Sequence, residues 1–222
     1  MPDLDTKIHL NMLAGAKKRG DTEVAPYGLH WGDPKVKPFL RYVRDHWCAN
    51  HVRPQDTVVE IGPGGGRWTR YLLGCDRLIT VDFHQEILDE LRRNYPVPHL
   101  ETVRNGGTDL PGIEDDSVDF VFSFGVFVHL DLPIIEGYIA EIARVLKPDG
   151  FAVIQYSDKS KPQAKRNDGF SDNAPRLMRK MVMDAGLFIH AENVTVMPHA
   201  GIIRFGKPAD ETLLEKQTYS RA

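Results

Sequence analysis

Apolar and polar positions along the chain switch between a period of two and a period near 3.6, and those switches set out the elements. From Asp56, TVVEIG is apolar and β-branched, the stretch through Leu73 reads as a helix, and RLITVDF reads as a second strand, which together make a βαβ unit. A helix over 85–94, strands near 100–104 and 118–124, a helix over 133–146 and a strand over 151–156 follow. Alternation of this kind predicts a mainly parallel sheet covered on both faces. A helix over 174–185 comes next, with Asp172 or Asn173 as its cap and Pro175 in its first turn. Segments 188–197 and 201–205, separated only by turn residues, then read as an antiparallel hairpin at a sheet edge.

Ahead of this body, residues 5–18 have the spacing of an amphipathic helix, and YGLHWGDP breaks it with glycines and a proline. Residues 36–50 then place Phe39, Leu40, Val43 and Trp47 on one helical face that packs against the body. The expected organisation is a helical cap or lid over 1–53, an α/β domain over 54–210 and a tail over 211–222. Residues 157–173 are too polar for an element and read as a surface loop.

Composition narrows the classes. With 222 residues, 41% hydrophobic and 27% charged, the chain suits one folded domain with a full core. The 28 basic residues against 31 acidic ones leave a net charge of −3, so no overall basic field exists to hold a nucleic acid. The first residues carry charges and no long apolar run, which points to a cytoplasmic protein without a membrane partner. Cys48 and Cys75 lack metal or redox spacing and read as small buried hydrophobes.

The most informative segment is VVEIGPGGGRWT, residues 58–69, a buried strand running into glycines and then a helix whose N-terminus supplies free backbone N–H groups. A cofactor belongs there. The dinucleotide fingerprint needs a third glycine at position 67, where Arg67 stands, and no phosphate-binding P-loop motif occurs. Asp82 ends the second strand about 20 residues after the first glycine, where a carboxylate accepts ribose hydroxyls of a nicotinamide cofactor as readily as of another nucleoside.

E-x-G-x-G-x-G at Glu60 to Gly66, the acidic strand end at Asp82, VDFVFSFGVFVHL and LKPDG at 146–150 together resemble the class I S-adenosylmethionine-dependent methyltransferases, over about residues 56–155. The resemblance implies a Rossmann-like α/β fold with a seven-stranded, mostly parallel sheet. It also implies S-adenosylmethionine as cofactor. Glu60 would orient the methionyl amino group or cap the next helix, while Gly62, Gly64 and Gly66 would line the cofactor by backbone. Asp82 would hold the ribose, and Phe83 would lie against adenine or in the core. The frequent G-D-A-x-D-L-P segment is replaced here by Asn105 to Pro111, with Gly106 in the acidic position, so Asn105, Thr108 or the Gly107 N–H are the adenine candidates. Ser123 and Phe124, at the end of the fourth strand, complete the implied set.

A sulfonium methyl is already activated, so the protein must place a nucleophile in line and remove its proton. His129, just past the fourth strand, is the candidate base, or else a capping or surface histidine. His84, His30, His199 and Asp158 are further candidates. Tyr27, His30 and Trp31 form a lid that offers aromatic rings to a sugar, or Trp31 pins the preface to the core. Lys159, Lys161, Lys165 and Arg166 form a solvated charge run or meet an acidic acceptor. Asp131 and Asp158, with His129, have the oxygen-rich character of a magnesium site. The expected activity is O-methylation of a saccharide or glycan hydroxyl. A phenolic or polyketide acceptor, a nicotinamide-dependent oxidoreductase and a non-catalytic cofactor-binding protein are the alternatives, and exposed sheet edges are compatible with a homodimer.

Overall fold

The computed structural model describes residues 28–208, so the predicted helix over 5–18, Tyr27 and the tail over 211–222 lie outside the described residues. Seven strands form one sheet: β1 (Thr57–Ile61), β2 (Arg77–Asp82), β3 (Leu100–Arg104), β4 (Val118–Ser123), β5 (Leu146–Ser157), β6 (Phe188–Asn193) and β7 (Ala200–Gly206). Their order is β3-β2-β1-β4-β5-β7-β6. The first five are parallel, and β7 runs antiparallel to both β5 and β6. The expected α/β sheet with its C-terminal antiparallel hairpin is therefore present, with β6 at the edge.

Period-two alternation sorts the strands' side chains into two cores, one per face. Val59, Ile61, Ile79, Val81, Val121 and Ile154 pack against helices α3 (Leu132–Val145) and α5 (Pro175–Asp184). Val58, Leu78, Phe120, Phe122 and Val153 face the opposite layer, which holds α1 (Pro38–Val43) and Leu91 of α2 (Gln85–Asn94). Helix α1 continues as a π-helical turn, Arg44–Cys48, and a 3-10 turn, Ala49–His51, so the single predicted helix over 36–50 is three short pieces. Its apolar face nonetheless buries Leu40, Val43 and Trp47. Cys48 and Cys75 are free and buried. No described helix is long and apolar enough to cross a membrane.

Three local expectations need correction. The stretch after β1 is turns with one 3-10 helix, Thr69–Tyr71, instead of an α-helix. Gly64 and Gly66 take left-handed φ of 56° and 95°, and Gly74 closes the stretch, leaving too few residues to repay helix nucleation. Helix α5 is capped by Ala174, without a side-chain bond, and Asn173 Oδ1 instead accepts the Ala174 N–H. The 157–173 segment is also only partly a surface loop. It contains α4 (Pro162–Lys165) and buries Ser157, Asp158, Ser171 and Asn173, while Lys161 Nζ donates to the carbonyls of Val194, Met197 and Ala200.

Because Leu40 is fully enclosed by the sheet's second core, Leu40→Ala lowers unfolding free energy by about 2–5 kcal/mol in urea denaturation. A loss under about 0.5 kcal/mol, the range of surface substitutions, would mean that the 38–51 segment does not belong to the cooperative unit.

Candidate functional site

Strand β1 lies where the sheet reverses its direction of growth, and the loops leaving β1, β2, β3 and β4 part there around a cavity of about 360 Å³. Gly62 and Gly64 form one wall, and Asp82, Phe83 and His84 at the end of β2 form the next. Gly106, Gly107 and Thr108 close it after β3, and Gly125, Val126 and His129 after β4, with Leu130, Ile134 and Tyr138 behind them.

The glycines do different jobs. Gly62 has φ 69°, and a Cβ there would stand 2.1 Å from a Val126 methyl, so the chain can pass between cavity and β4 loop only without a side chain. Gly66 is not in the cavity wall. Its own missing Cβ makes room for the Tyr95 ring, whose hydroxyl donates to the Gly66 carbonyl at 2.9 Å. Arg67, at the departure from the dinucleotide pattern, is buried and donates to the Gly28 carbonyl at 3.0 Å, with its guanidinium over the rings of Trp68 and Phe124. Burial brings its pKa down to about 10. Trp31 is 47% exposed beside this arginine's segment and is not part of the cavity wall, and the His30 side chain lies outside what is described.

Glu60 is buried behind the glycine turn, where its Oε2 accepts the Thr69 hydroxyl at 2.6 Å. Burial raises its pKa to about 8, the Thr69 bond pulls the other way, and the nearby Asp82 carboxylate adds to the rise. Asp82 Oδ1 accepts the His84 backbone N–H at 2.9 Å and stands 3.1 Å from His84 Nδ1. That bond raises the His84 pKa.

After β3, Asn105 is buried and stands behind the wall. Its Nδ2 donates to the Asp109 carbonyl at 2.9 Å and to the Tyr138 hydroxyl at 2.7 Å, while its Oδ1 has no partner among the described residues. Asp109 Oδ1 accepts the Gly106 N–H at 2.6 Å and so closes the turn. Tyr138 was hidden in the sequence because it sits at helical spacing with Ile135 and Ile142. Its polar tip on an otherwise apolar face was the available signal.

Ser123 and Phe124 are not in the wall either. Ser123 Oγ donates to the Ile61 carbonyl at 2.9 Å and ties β4 to β1, and Phe124 packs on Trp68 at 4.6 Å between ring centroids. His129 is in the wall, with its Nδ1 2.7 Å from the Gly169 carbonyl and its ring stacked on Phe170.

The predicted magnesium pair does not assemble. Asp131 is exposed at the cap position of α3, whereas Asp158 is buried and its Oδ1 accepts the Ser160 N–H and hydroxyl. Among the described residues no three His, Cys, Asp or Glu side chains are placed to hold a metal ion. Of the basic run, Lys159 donates to the Asn167 carbonyl and Lys161 is taken up by three carbonyls, so an intramolecular role replaces acceptor binding for these two.

Residues 59–154 match the family described as a methyltransferase domain. An uncharacterized methyltransferase-like protein of Schizosaccharomyces pombe is 31% identical over 108 residues, a match covering 47% of this chain and 40% of that protein. Among solved structures, a chain of the complex between the Haloferax volcanii Trm112 methyltransferase activator and a methyltransferase superposes with TM-score 0.65 at 21% identity, covering 82% of this chain and 92% of that one. Geranyl diphosphate C-methyltransferase of Streptomyces coelicolor A3(2) superposes with TM-score 0.59 at 15% identity, covering 76% and 77%. The fold matches the Rossmann-like fold of these methyltransferase structures, and the chain spans less than half the length of the Schizosaccharomyces pombe protein it matches.

The donor set fits S-adenosylmethionine. Glycine walls admit close approach by a nucleoside, the Asp82 carboxylate stands at the strand end, the Asn105 Oδ1 has no partner among the described residues, and the Glu60 carboxyl is buried behind the glycine turn.

Two outcomes follow. Asp82→Ala weakens S-adenosylhomocysteine binding by about 1.5–3 kcal/mol per lost charge-assisted hydrogen bond, read by calorimetry; unchanged affinity would detach Asp82 from the ligand. For Glu60 the folded pKa of about 8 exceeds the ordinary 4.5, so between those values the folded protein binds more protons than the unfolded one. Stability therefore falls as pH rises from about 4.5 to about 8, and Glu60→Gln removes that part of the slope in denaturation curves taken across the range.

Proposed function

We propose that the protein transfers the methyl group of S-adenosylmethionine to a hydroxyl of a small-molecule acceptor, with His129 as general base. The carrying observation is that His129 stands in the cavity wall with Nδ1 turned to the Gly169 carbonyl at 2.7 Å. A carbonyl only accepts, so Nδ1 carries the proton, and in the neutral ring Nε2 keeps its lone pair. The cofactor, when bound, supplies a methyl group made electrophilic by the sulfonium charge. Asp82 would accept the ribose hydroxyls, Glu60 would answer the ammonium of the methionyl tail, and Gly62, Gly64, Phe83, Gly107 and Thr108 would enclose the nucleoside. As the acceptor oxygen takes the methyl group, its proton passes to Nε2, and the imidazolium keeps its Nδ1 bond to Gly169.

For the acceptor, our reading is a saccharide or glycan hydroxyl, supported by the half-exposed Trp31 ring, which stands with Arg67 beside Gly28. The apolar Val126 and Leu130 next to His129 favour a phenolic acceptor as the second reading. Residues 1–53 would cover the acceptor side of a cofactor domain over 54–210, in a cytoplasmic enzyme.

His129→Ala leaves S-adenosylhomocysteine affinity near that of the unaltered protein and lowers turnover roughly 100-fold on whichever member of a sugar and phenol panel is methylated. Full turnover in that variant would refute the base assignment. Turnover on phenols alone would replace the saccharide reading.

A further inference from the structure

The 157–173 segment reaches the candidate base His129. Phe170 lies between two imidazoles, stacked on His129 with centroids 5.4 Å apart at 28°, and on His199 at 5.0 Å and 8°. The residues on either side of Phe170 tie this stack to the base. Gly169 offers its carbonyl to His129 Nδ1 at 2.7 Å, and Ser171 N–H donates to the Val128 carbonyl at 2.7 Å, one residue before His129. The far end of the stack is held by the backbone, since the Asp158 N–H donates to the His199 carbonyl at 3.0 Å. Lys161 then clamps the same turn through the Met197 and Ala200 carbonyls on either side of it.

We propose that Phe170, clamped between His129 and His199, is a positioning residue that holds the Gly169 carbonyl on His129 Nδ1 and thereby fixes the Nδ1–H tautomer that leaves Nε2 as the proton acceptor. The inference rests on the base assignment above for its catalytic meaning, and on geometry alone for the tautomer. An unconstrained neutral imidazole carries its proton mainly on Nε2, the tautomer in which Nε2 cannot take a proton from a hydroxyl. With that tautomer here, two lone pairs would oppose each other at 2.7 Å, so the Gly169 bond selects the other one. His199 suits the outer position: burial lowers its pKa, with Lys161 and His129 acting in the same direction, which favours the neutral ring on Phe170. The chemistry balances with no further reactant. The sulfonium–methyl and acceptor O–H bonds break, a methyl–oxygen bond forms, the sulfur leaves as a thioether, and the proton goes to Nε2.

The test is the tautomer itself, read in the full-length, 15N-histidine-labelled protein by long-range 1H–15N correlation at about pH 8, where an ordinary imidazole is neutral. The His129 signals are assigned by their loss in His129→Gln. The expected pattern is Nδ1–H in the unaltered protein, a shift toward Nε2–H in Phe170→Ala, and a return to Nδ1–H in Phe170→Tyr, which keeps the ring. On a working acceptor, Phe170→Ala lowers kcat about 10-fold with S-adenosylhomocysteine affinity unchanged, and Phe170→Tyr restores it. An Nε2–H pattern in the unaltered protein, or an unchanged Nδ1–H pattern in Phe170→Ala, overturns the proposal. Failure of the base assignment is read separately, as full turnover in His129→Gln.

Discussion

Strand β1 hydrogen-bonds β2 along one edge and β4 along the other, which is possible only because the chain crosses back over the sheet after β3. That crossover sends the loops after β1 and β4 in opposite directions and opens the space between them. Every functional group follows from it. The glycine turn floors the space, the β2 end brings Asp82 to one side, and the β4 end brings His129 to the other. The division is held from within by Ser123 Oγ on the Ile61 carbonyl and by the Gly62 N–H on the Val81 carbonyl at 2.8 Å.

The electrostatics divide in the same way. Glu60 is buried behind the glycine turn with its proton held tightly, whereas Asp82 stands at the cavity with its Oδ1 engaged by His84. A cationic ligand tail that reached Glu60 would offset the cost of ionising it, which links ligand binding to proton release. Across the cavity, His129 is tied to the 157–173 segment through the Gly169 carbonyl and the Phe170 ring, and Phe170 stacks in turn on His199 of the β6–β7 turn.

Much of this was legible in the sequence, for identifiable reasons. The strands and α2 carry strong local periodicity, and the 85–94 helix ends where the structure ends it. Gly62 directly follows β1, Asp82 ends β2 and His129 lies in the loop that leaves β4, so the strand periodicity was enough to bring all three to the same end of the sheet. What could not be read depended on partners distant in sequence. Lys161 looks like part of a solvated run until the carbonyls of Val194, Met197 and Ala200 fold around it. Phe170 and His199 look unrelated to His129 until the stack brings them together. The glycine-rich stretch misled in the opposite sense. Its place between two strands reads as a helix, while left-handed Gly64 and Gly66 and the Tyr95 ring against Gly66 hold the chain in turns.

If one cavity holds the methyl donor between Asp82 and His129, a crystal structure of the full chain with S-adenosylhomocysteine will show the ribose hydroxyls on the Asp82 carboxylate and the sulfur on the His129 side of the glycine turn. Ligand density in another part of the molecule, or a nucleoside in the cavity with its sulfur directed away from His129, would contradict that placement.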